Sequence, residues 1–372
     1  MGGVRGETRR RWLTVAGAVA ALCAVPALVA AWPVHVPAVA PEQLRDRILA
    51  STATPYEGYA ESRGSLGLPD LPQLSDVTAL LGGTTRIRAW YSSPRRWRVD
   101  VVTPTGERDL YATANGNVLW DYERNLTVDV VGKAPVRLPR PSDLVPPDLA
   151  RRLLAGRAAG DRLTGLPARR IAGIAAAGLR LVPADPATTV GRVDVWADPT
   201  TGLPLQVVVT GRGSPQPAVE THFLDLRRGQ PSTVDAPPVA PDGVRHGTAT
   251  TTDLSDVLNA VAAPLPGSLA GRPRRPSDVQ GLTTVREYGT GFATFAVLPL
   301  PGWLGRRSYR AAGAVGGQPV DLAGGDGIVV RTPLLNLLAV QADAGPDFLL
   351  AGPAQPDLLR SAAIELLARS GE

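Results

Sequence analysis

Side chains able to do covalent or metal chemistry are scarce in this sequence. It holds one cysteine, Cys23, and three histidines, His35, His222 and His246, in 372 residues. A metal centre or an acid–base pair needs ligands or partners at defined spacings, and no H-x-x-x-H pair or comparable set accompanies any of them. No G-x-S-x-G elbow and no G-x-x-x-x-G-K-[ST] phosphate loop occurs. The runs Gly313-Ala314-Val315-Gly316-Gly317 and Gly324-Gly325-Asp326-Gly327 stand between strand-like segments and read as hairpin turns. Asp253 and Asp256 suit a helix start. The expectation is a protein that binds and does not catalyse, with no metal and no cofactor.

Binding chemistry then falls to apolar and aromatic side chains. Of seven Trp, seven Tyr and four Phe, eight lie between residues 56 and 122: Tyr56, Tyr59, Trp90, Tyr91, Trp97, Tyr111, Trp120 and Tyr122. In a strand, alternate side chains share a face. Ile87, Ala89 and Tyr91 therefore go together, as do Trp97, Val99 and Val101, and Val118, Trp120 and Tyr122. The intervening positions carry Arg86, Arg88, Arg96, Arg98, Asp100, Leu119 and Asp121. These alternations predict one apolar, aromatic face opposite a charged one. Ile87, Tyr91, Trp97, Val99, Val101, Val118, Trp120 and Tyr122 are the candidate ligand-binding residues. The plain alternative is ordinary core beneath short helices.

The elements that position this face follow from turn signals. Ser93-Pro94, Pro104-Thr105-Gly106, Asn115-Gly116 and Glu123-Arg124-Asn125 punctuate a meander of strands at 84–92, 95–102, 107–114, 117–122 and 126–131. Further strands are expected at 169–174, 178–182, 192–197, 203–210 and 218–226, and short amphipathic helices at 42–51 and 148–156. Two such helices are small cover for ten strands, which leaves room for a groove. A proline-rich run at 231–243 marks a linker. Beyond it a helix is expected at 253–262, and short strands at 283–288, 291–298, 309–315, 318–322, 327–331, 336–342 and 347–351. A closing helix at 357–368 carries the apolar stripe Leu358, Leu359, Ala362, Ala363, Leu366 and Leu367.

The net charge of +5 holds little electrostatic function. Arg5, Arg9, Arg10 and Arg11 against Glu7 place most of it in the first dozen residues, and elsewhere arginines alternate with acids, which argues against nucleic acid as a partner. The loop with Arg272, Arg274 and Arg275 reads as a solvated linker. The cationic start precedes Leu13–Trp32, a run without formal charge. Such a run is an export signal, cleaved as a signal peptide or kept as an N-terminal membrane anchor. Residues 1–32 are assigned to it, 40–230 to a first domain, 231–247 to the linker and 248–372 to a smaller second domain. The fold class is α+β, mainly antiparallel β, and the location extracytoplasmic, secreted or anchored to the cytoplasmic membrane.

Several of these segments resemble a known family. Thr54-Pro55-Tyr56-Glu57-Gly58-Tyr59-Ala60, Ala89-Trp90-Tyr91, Arg96-Trp97-Arg98-Val99-Asp100, Gly106-Glu107-Arg108-Asp109-Leu110-Tyr111 and Leu119-Trp120-Asp121-Tyr122 are similar to the LolA-like half-barrel. So are Val193-Asp194-Val195-Trp196-Ala197-Asp198 and Gly202-Leu203-Pro204-Leu205. The version most resembled is that of actinobacterial relatives of the MucB/RseB sigma-E regulators. The resemblance covers about 40–230, and more weakly the region from 285 onward. It implies an incomplete antiparallel barrel with short helices plugging its concave face, then a smaller α+β domain with a C-terminal helix. It also implies an acyl chain or lipopeptide-like ligand and, in the regulator branch, an anti-sigma factor ectodomain or other membrane protein as partner. The function expected is an exported regulator or sensor that binds a hydrophobic or lipidated ligand. The alternative is a lipid or lipoprotein carrier of the envelope.

Overall fold

In a computed structural model, the described residues are 12, 14–17, 19, 34–67, 75–102, 106–114, 116–131, 139–232, 245–250, 261, 264–276 and 285–370. Most of Leu13–Trp32 lies outside them, as do 233–244 of the proline-rich linker and 253–260 of the helix expected at 253–262. Among the described residues no helix is long and apolar enough to cross a membrane.

Twelve strands form one sheet. They are β1 (Tyr56–Gly64), β2 (Thr84–Ser93), β3 (Arg96–Val102), β4 (Glu107–Thr113), β5 (Gly116–Asp121), β6 (Leu126–Val131), β7 (Arg162–Ile171), β8 (Ile174–Val182), β9 (Val190–Ala197), β10 (Pro204–Gly211), β11 (Pro217–Arg228) and β12 (Arg245–Thr250). Their order is β12-β6-β5-β4-β3-β2-β1-β11-β10-β9-β8-β7. All neighbours are antiparallel except β12, which lies parallel to β6. The first sheet therefore takes its edge strand from beyond the proline run.

Three short helices accompany this sheet: α1 (Pro41–Ala50), α2 (Ser75–Gly82) and α3 (Pro146–Ala155). Proline in the first turn starts both α1 and α3, where a missing N–H costs nothing. Leu44 and Ile48 of α1 and Ala150 and Leu154 of α3 are buried on Leu179, Leu181, Val193, Val195, Val207 and Val209 of the sheet. This apolar stripe is what folds each helix, since ten residues are too few to stand alone in water.

The remaining chain forms a second sheet from β15 (Arg286–Tyr288), β16 (Phe295–Leu300), β17 (Gln318–Leu322), β18 (Gly325–Arg331), β19 (Asn336–Ala342) and β20 (Asp347–Gly352), ordered β15-β16-β20-β19-β18-β17. A two-stranded ribbon, β13 (Ser268–Leu269) with β14 (Arg272–Pro273), precedes it. Helices α4 (Gly302–Ala314) and α5 (Pro356–Ser370) complete the unit. Leu359, Ala362, Ala363, Leu366 and Leu367 of α5 are buried with Phe295, Val297, Leu338, Val340 and Phe348, as the stripe predicts.

Three expectations are corrected. Residues 309–315, expected as a strand, lie in α4 and the turn after it, so the glycine run at 313–317 ends a helix and is no hairpin. The strand expected at 169–174 is broken by a turn at Ala172 and Gly173, whose φ values are 47° and 77°. Those two positive angles suit the tight hairpin that joins β7 to β8. Residues 291–294, expected in a strand, form the turn before β16.

The β8–β9 connection holds the two sheets together. The Thr188 hydroxyl donates to the carbonyl of Phe292 at 2.7 Å, and the Thr189 hydroxyl to that of Leu334 at 2.6 Å. Backbone bonds add Thr189 N–H to Pro353 O at 3.0 Å and Gln355 N–H to Ala187 O at 2.7 Å. Arg272 pairs with Asp185. Burial alone would raise the Asp185 carboxyl, but the hydrogen bonds from Arg272 and the Ala187 N–H, together with the Arg272 and Arg212 charges, outweigh it and hold the carboxyl below its ordinary value. Gly211 meets the second sheet's loop so closely that a Cβ would stand 2.4 Å from the Pro333 carbonyl oxygen. Gly211→Ala is expected to cost about 1–3 kcal/mol, because backbone must move. Denaturant unfolding checks it: the transition should shift and broaden as the two units lose their contact.

Candidate functional site

Backbone pairing decides which side chains share the apolar face. Tyr56 stands opposite Tyr91 and Ala60 opposite Ile87. Ile87 then pairs with Val101, Ala89 with Val99, and Tyr91 with Trp97. Across β4 and β5, Val99 faces Leu110, and Leu110 faces Leu119. Leu119 faces Val128. Directly paired residues project to the same side of a sheet. Ile87, Tyr91, Trp97, Val99 and Val101 therefore line one face together, continued by Leu110, Leu119 and Val128.

Val118, Trp120 and Tyr122 do not join them, which corrects the single-face grouping. Val118 pairs with Tyr111 and Trp120 with Asp109, so both strand residues lie on the opposite side. Odd-numbered residues face the apolar side in β2 and β3, even-numbered ones in β4, and odd-numbered ones again in β5. Tyr122, just past β5, stacks on Trp120 with ring centroids 4.9 Å apart and is 45% exposed.

Among the described residues the apolar face is closed in its middle and less covered at one end. Leu144 and Val145, before α3, are buried in one cluster with Tyr56, Ile87, Tyr91 and Val99. Tyr91 stacks on Tyr56 at 5.2 Å and donates its hydroxyl to the Thr52 carbonyl at 2.6 Å. The Thr221 hydroxyl reaches the Leu144 carbonyl at 2.7 Å. Burial raises the Tyr56 phenol well above its ordinary value, with Asp148 adding to the effect. Ile87, Tyr91 and Val99 are thus core. From β3 outward the cover thins: Trp97, Val101, Leu119, Val128 and Val130 are only half-buried. Arg108 and Asp121 border this strip, 3.3 Å apart. An apolar strip with a charged pair at its rim suits an amphiphile.

The opposite side of β3–β5 holds a buried ionic group. Arg98 lies over Trp90 at 5.1 Å and over Tyr111 at 5.2 Å. It bonds Asp100 at 2.6 Å and Asp109 at 3.0 Å, and Tyr111 donates its hydroxyl to Asp109 at 3.0 Å. Burial pushes the Asp100 carboxyl up to about 7, against the opposing pull of Arg98 and with help from the Asp109 charge. Asp109 is raised for the same first reason. One oxygen each of Asp100, Glu107 and Asp109 lie within 4.8 Å of one another, a spacing that suits a cation. The Arg98 guanidinium already stands among them. Asp100 Oδ2, Asp109 Oδ1, Trp120 Nε1 and Thr127 Oγ1 are buried without a hydrogen-bond partner. Sequence reading took Trp120 for a ligand contact; the pairing puts it beside these carboxylates.

His246 Nε2 lies 3.2 Å from Asp129 where β12 meets β6, with both side chains about half exposed. His222 lies in β11, and its Nδ1 is buried without a partner.

No protein-family model matches the chain, and no curated protein matches it. Among solved structures it is similar to MucB in complex with MucA(peri), at 16% identity and a TM-score of 0.45 over 87% of this chain and 97% of that one. The Pseudomonas aeruginosa MucA/MucB complex shows 18% identity and a TM-score of 0.45 over 86% and 95% of the two chains. A LolA superfamily protein from Nitrosomonas europaea shows 11% identity and a TM-score of 0.24 over 54% and 96%. These likenesses, at 18% identity or less, assign this chain no function.

Proposed function

We propose that this is an exported, non-enzymatic envelope protein whose first sheet binds an acyl chain or lipidated peptide. The second sheet and its helices would pass the bound state to a regulatory membrane partner such as an anti-sigma factor ectodomain. The observation that carries the ligand half is the half-buried strip of Trp97, Val101, Leu119, Val128 and Val130 at the open end of the apolar face. Each methylene moved from water onto such a strip is worth about 0.8 kcal/mol, so a few suffice for useful affinity. The apolar Leu13–Trp32 run supports the envelope location, and the resemblance of the sequence segments to the sigma-E regulators supplies the partner class.

A fluorescent lipopeptide titrated into the purified protein is expected to bind saturably and to be displaced by an unlabelled acyl peptide. Lipid extracted from the protein as isolated, examined by mass spectrometry, should contain a stoichiometric amphiphile. Absence of saturable binding together with an empty extract would sink the ligand half. Failure of an anti-sigma ectodomain to co-purify would sink the partner half alone.

A further inference from the structure

Helix α4 has an outer face that its own domain leaves unmatched. Its inner face is fixed by Gly305, which is buried so tightly that a Cβ would stand 2.0 Å from Asp347 Oδ2. On the outer side Trp303, Arg306, Arg307 and Arg310 recur at i, i+3, i+4 and i+7, the spacing of one helical stripe. All four are exposed, Trp303 by 57%. The helix carries no acidic residue. Among the described residues none of these three arginines forms an ion pair, whereas Arg272 is matched by Asp185 and Arg275 by Glu287.

Three unmatched guanidinium groups call for an anionic partner. The indole beside them narrows the choice, because an acidic peptide would satisfy the charges and leave Trp303 in water. A bilayer surface satisfies both: tryptophan favours the headgroup level, and basic side chains there are drawn to anionic lipid. A cavity of about 450 Å³ begins at Pro301 and Gly302, next to Trp303, and is lined by Leu265, Leu300, Phe348 and Leu366, with Arg369 on its wall. An acyl tail leaving the bilayer would find an apolar setting there. We propose that the Trp303/Arg306/Arg307/Arg310 face of α4 docks on an anionic phospholipid surface and holds the second domain against the membrane. This docking is independent of any ligand on the first sheet.

The test uses the full chain in vesicles, so that its N-terminal segment is present in every arm. With Cys23→Ser as background, Ala314→Cys places a nitrobenzoxadiazole label on the exposed end of the stripe. Leu224→Cys, 44% exposed on the first sheet, serves as the control site. Nitroxide-labelled lipid should quench the label at 314 in vesicles containing phosphatidylglycerol, and not in phosphatidylcholine alone. High salt should reverse the quenching. Arg306→Gln, Arg307→Gln and Arg310→Gln together should shift the docked fraction by roughly a hundredfold, and Trp303→Ser should weaken it further. Equal quenching in both lipids, no quenching in either, or quenching that survives the triple substitution would overturn the proposal. So would saturable binding of an acidic peptide that the triple substitution abolishes, with no quenching in phosphatidylglycerol vesicles, which would assign the face to a protein partner.

Discussion

Arg98→Met lowers the stability of the protein by about 3 kcal/mol, because it leaves Asp100 and Asp109 buried without their counter-charge. Both carboxylates are at most 1% exposed, and each keeps one oxygen with no partner even when Arg98 is present. The loss depends on pH in a direction fixed by the shifts. The Asp100 pKa, about 7 in the folded protein, lies above the ordinary carboxyl value, so the folded state holds a proton that the unfolded state releases. Stability is therefore gained as the solution is acidified from above pH 7 toward the unfolded value near 4. Without Arg98 both carboxyls protonate more readily, and the deficit of the variant shrinks across that window. At lower pH the trend turns, because Asp185 and Asp198 lie below their ordinary values and lose their favourable contacts on protonation. Urea titrations of wild type and variant at several pH values read this directly. Arg98→Met combined with Asp100→Asn and Asp109→Asn should recover most of the loss, since the partners of a missing charge are removed with it. A deficit that does not change with pH would count against the charge account.

If an acyl chain binds this strip as proposed, Leu119→Asp is expected to weaken that binding roughly a hundredfold, about 2.7 kcal/mol, as a carboxylate enters the apolar strip. Leu119 is half-buried between Leu110 and Val128, so the fold tolerates the change better than it would at Val99 or Ile87, which are 5% and 0% exposed. Far-ultraviolet circular dichroism and a melt establish that the variant is folded. Trp97→Ala removes the largest apolar surface of the strip and is expected to weaken such binding about tenfold. Trp120→Ala provides the contrast. It lies on the other side of the sheet beside Asp109, so it costs stability and leaves affinity unchanged. If Trp120→Ala and Trp97→Ala weaken binding equally, the two-face arrangement is wrong.

That contrast also marks the limit of what the sequence displayed. Alternation and turn residues are local, so the meander from Thr84 to Val131, the helices near 42–51 and 148–156 and the apolar stripe of the closing helix were legible. Face assignment is not local. Each strand announces that its odd and even residues differ, but hairpin register decides which set meets which, and Thr113 opposite Gly116 is what turns Leu119 rather than Trp120 to the apolar side. Helix α4 was hidden for another reason. Its segment holds three glycines, lacks a side-chain N-cap and has no acidic residue, while the close approach of Gly305 to Asp347 that requires a glycine is visible only in the folded chain. The Arg98 group was read as an alternating charged face because nothing in the spacing revealed that Asp100 and Asp109 are buried.

Photo-crosslinking tests most directly whether an acyl chain lies on the open end of the apolar face. A diazirine-bearing acyl peptide is bound to the protein, irradiated, and the adducts mapped by peptide mass spectrometry. Adducts are expected on Trp97, Val101, Leu119 and Val128, lost when unlabelled acyl peptide is in excess. Competable adducts on Val118, Trp120 and Tyr122, with none on that strip, would contradict that placement.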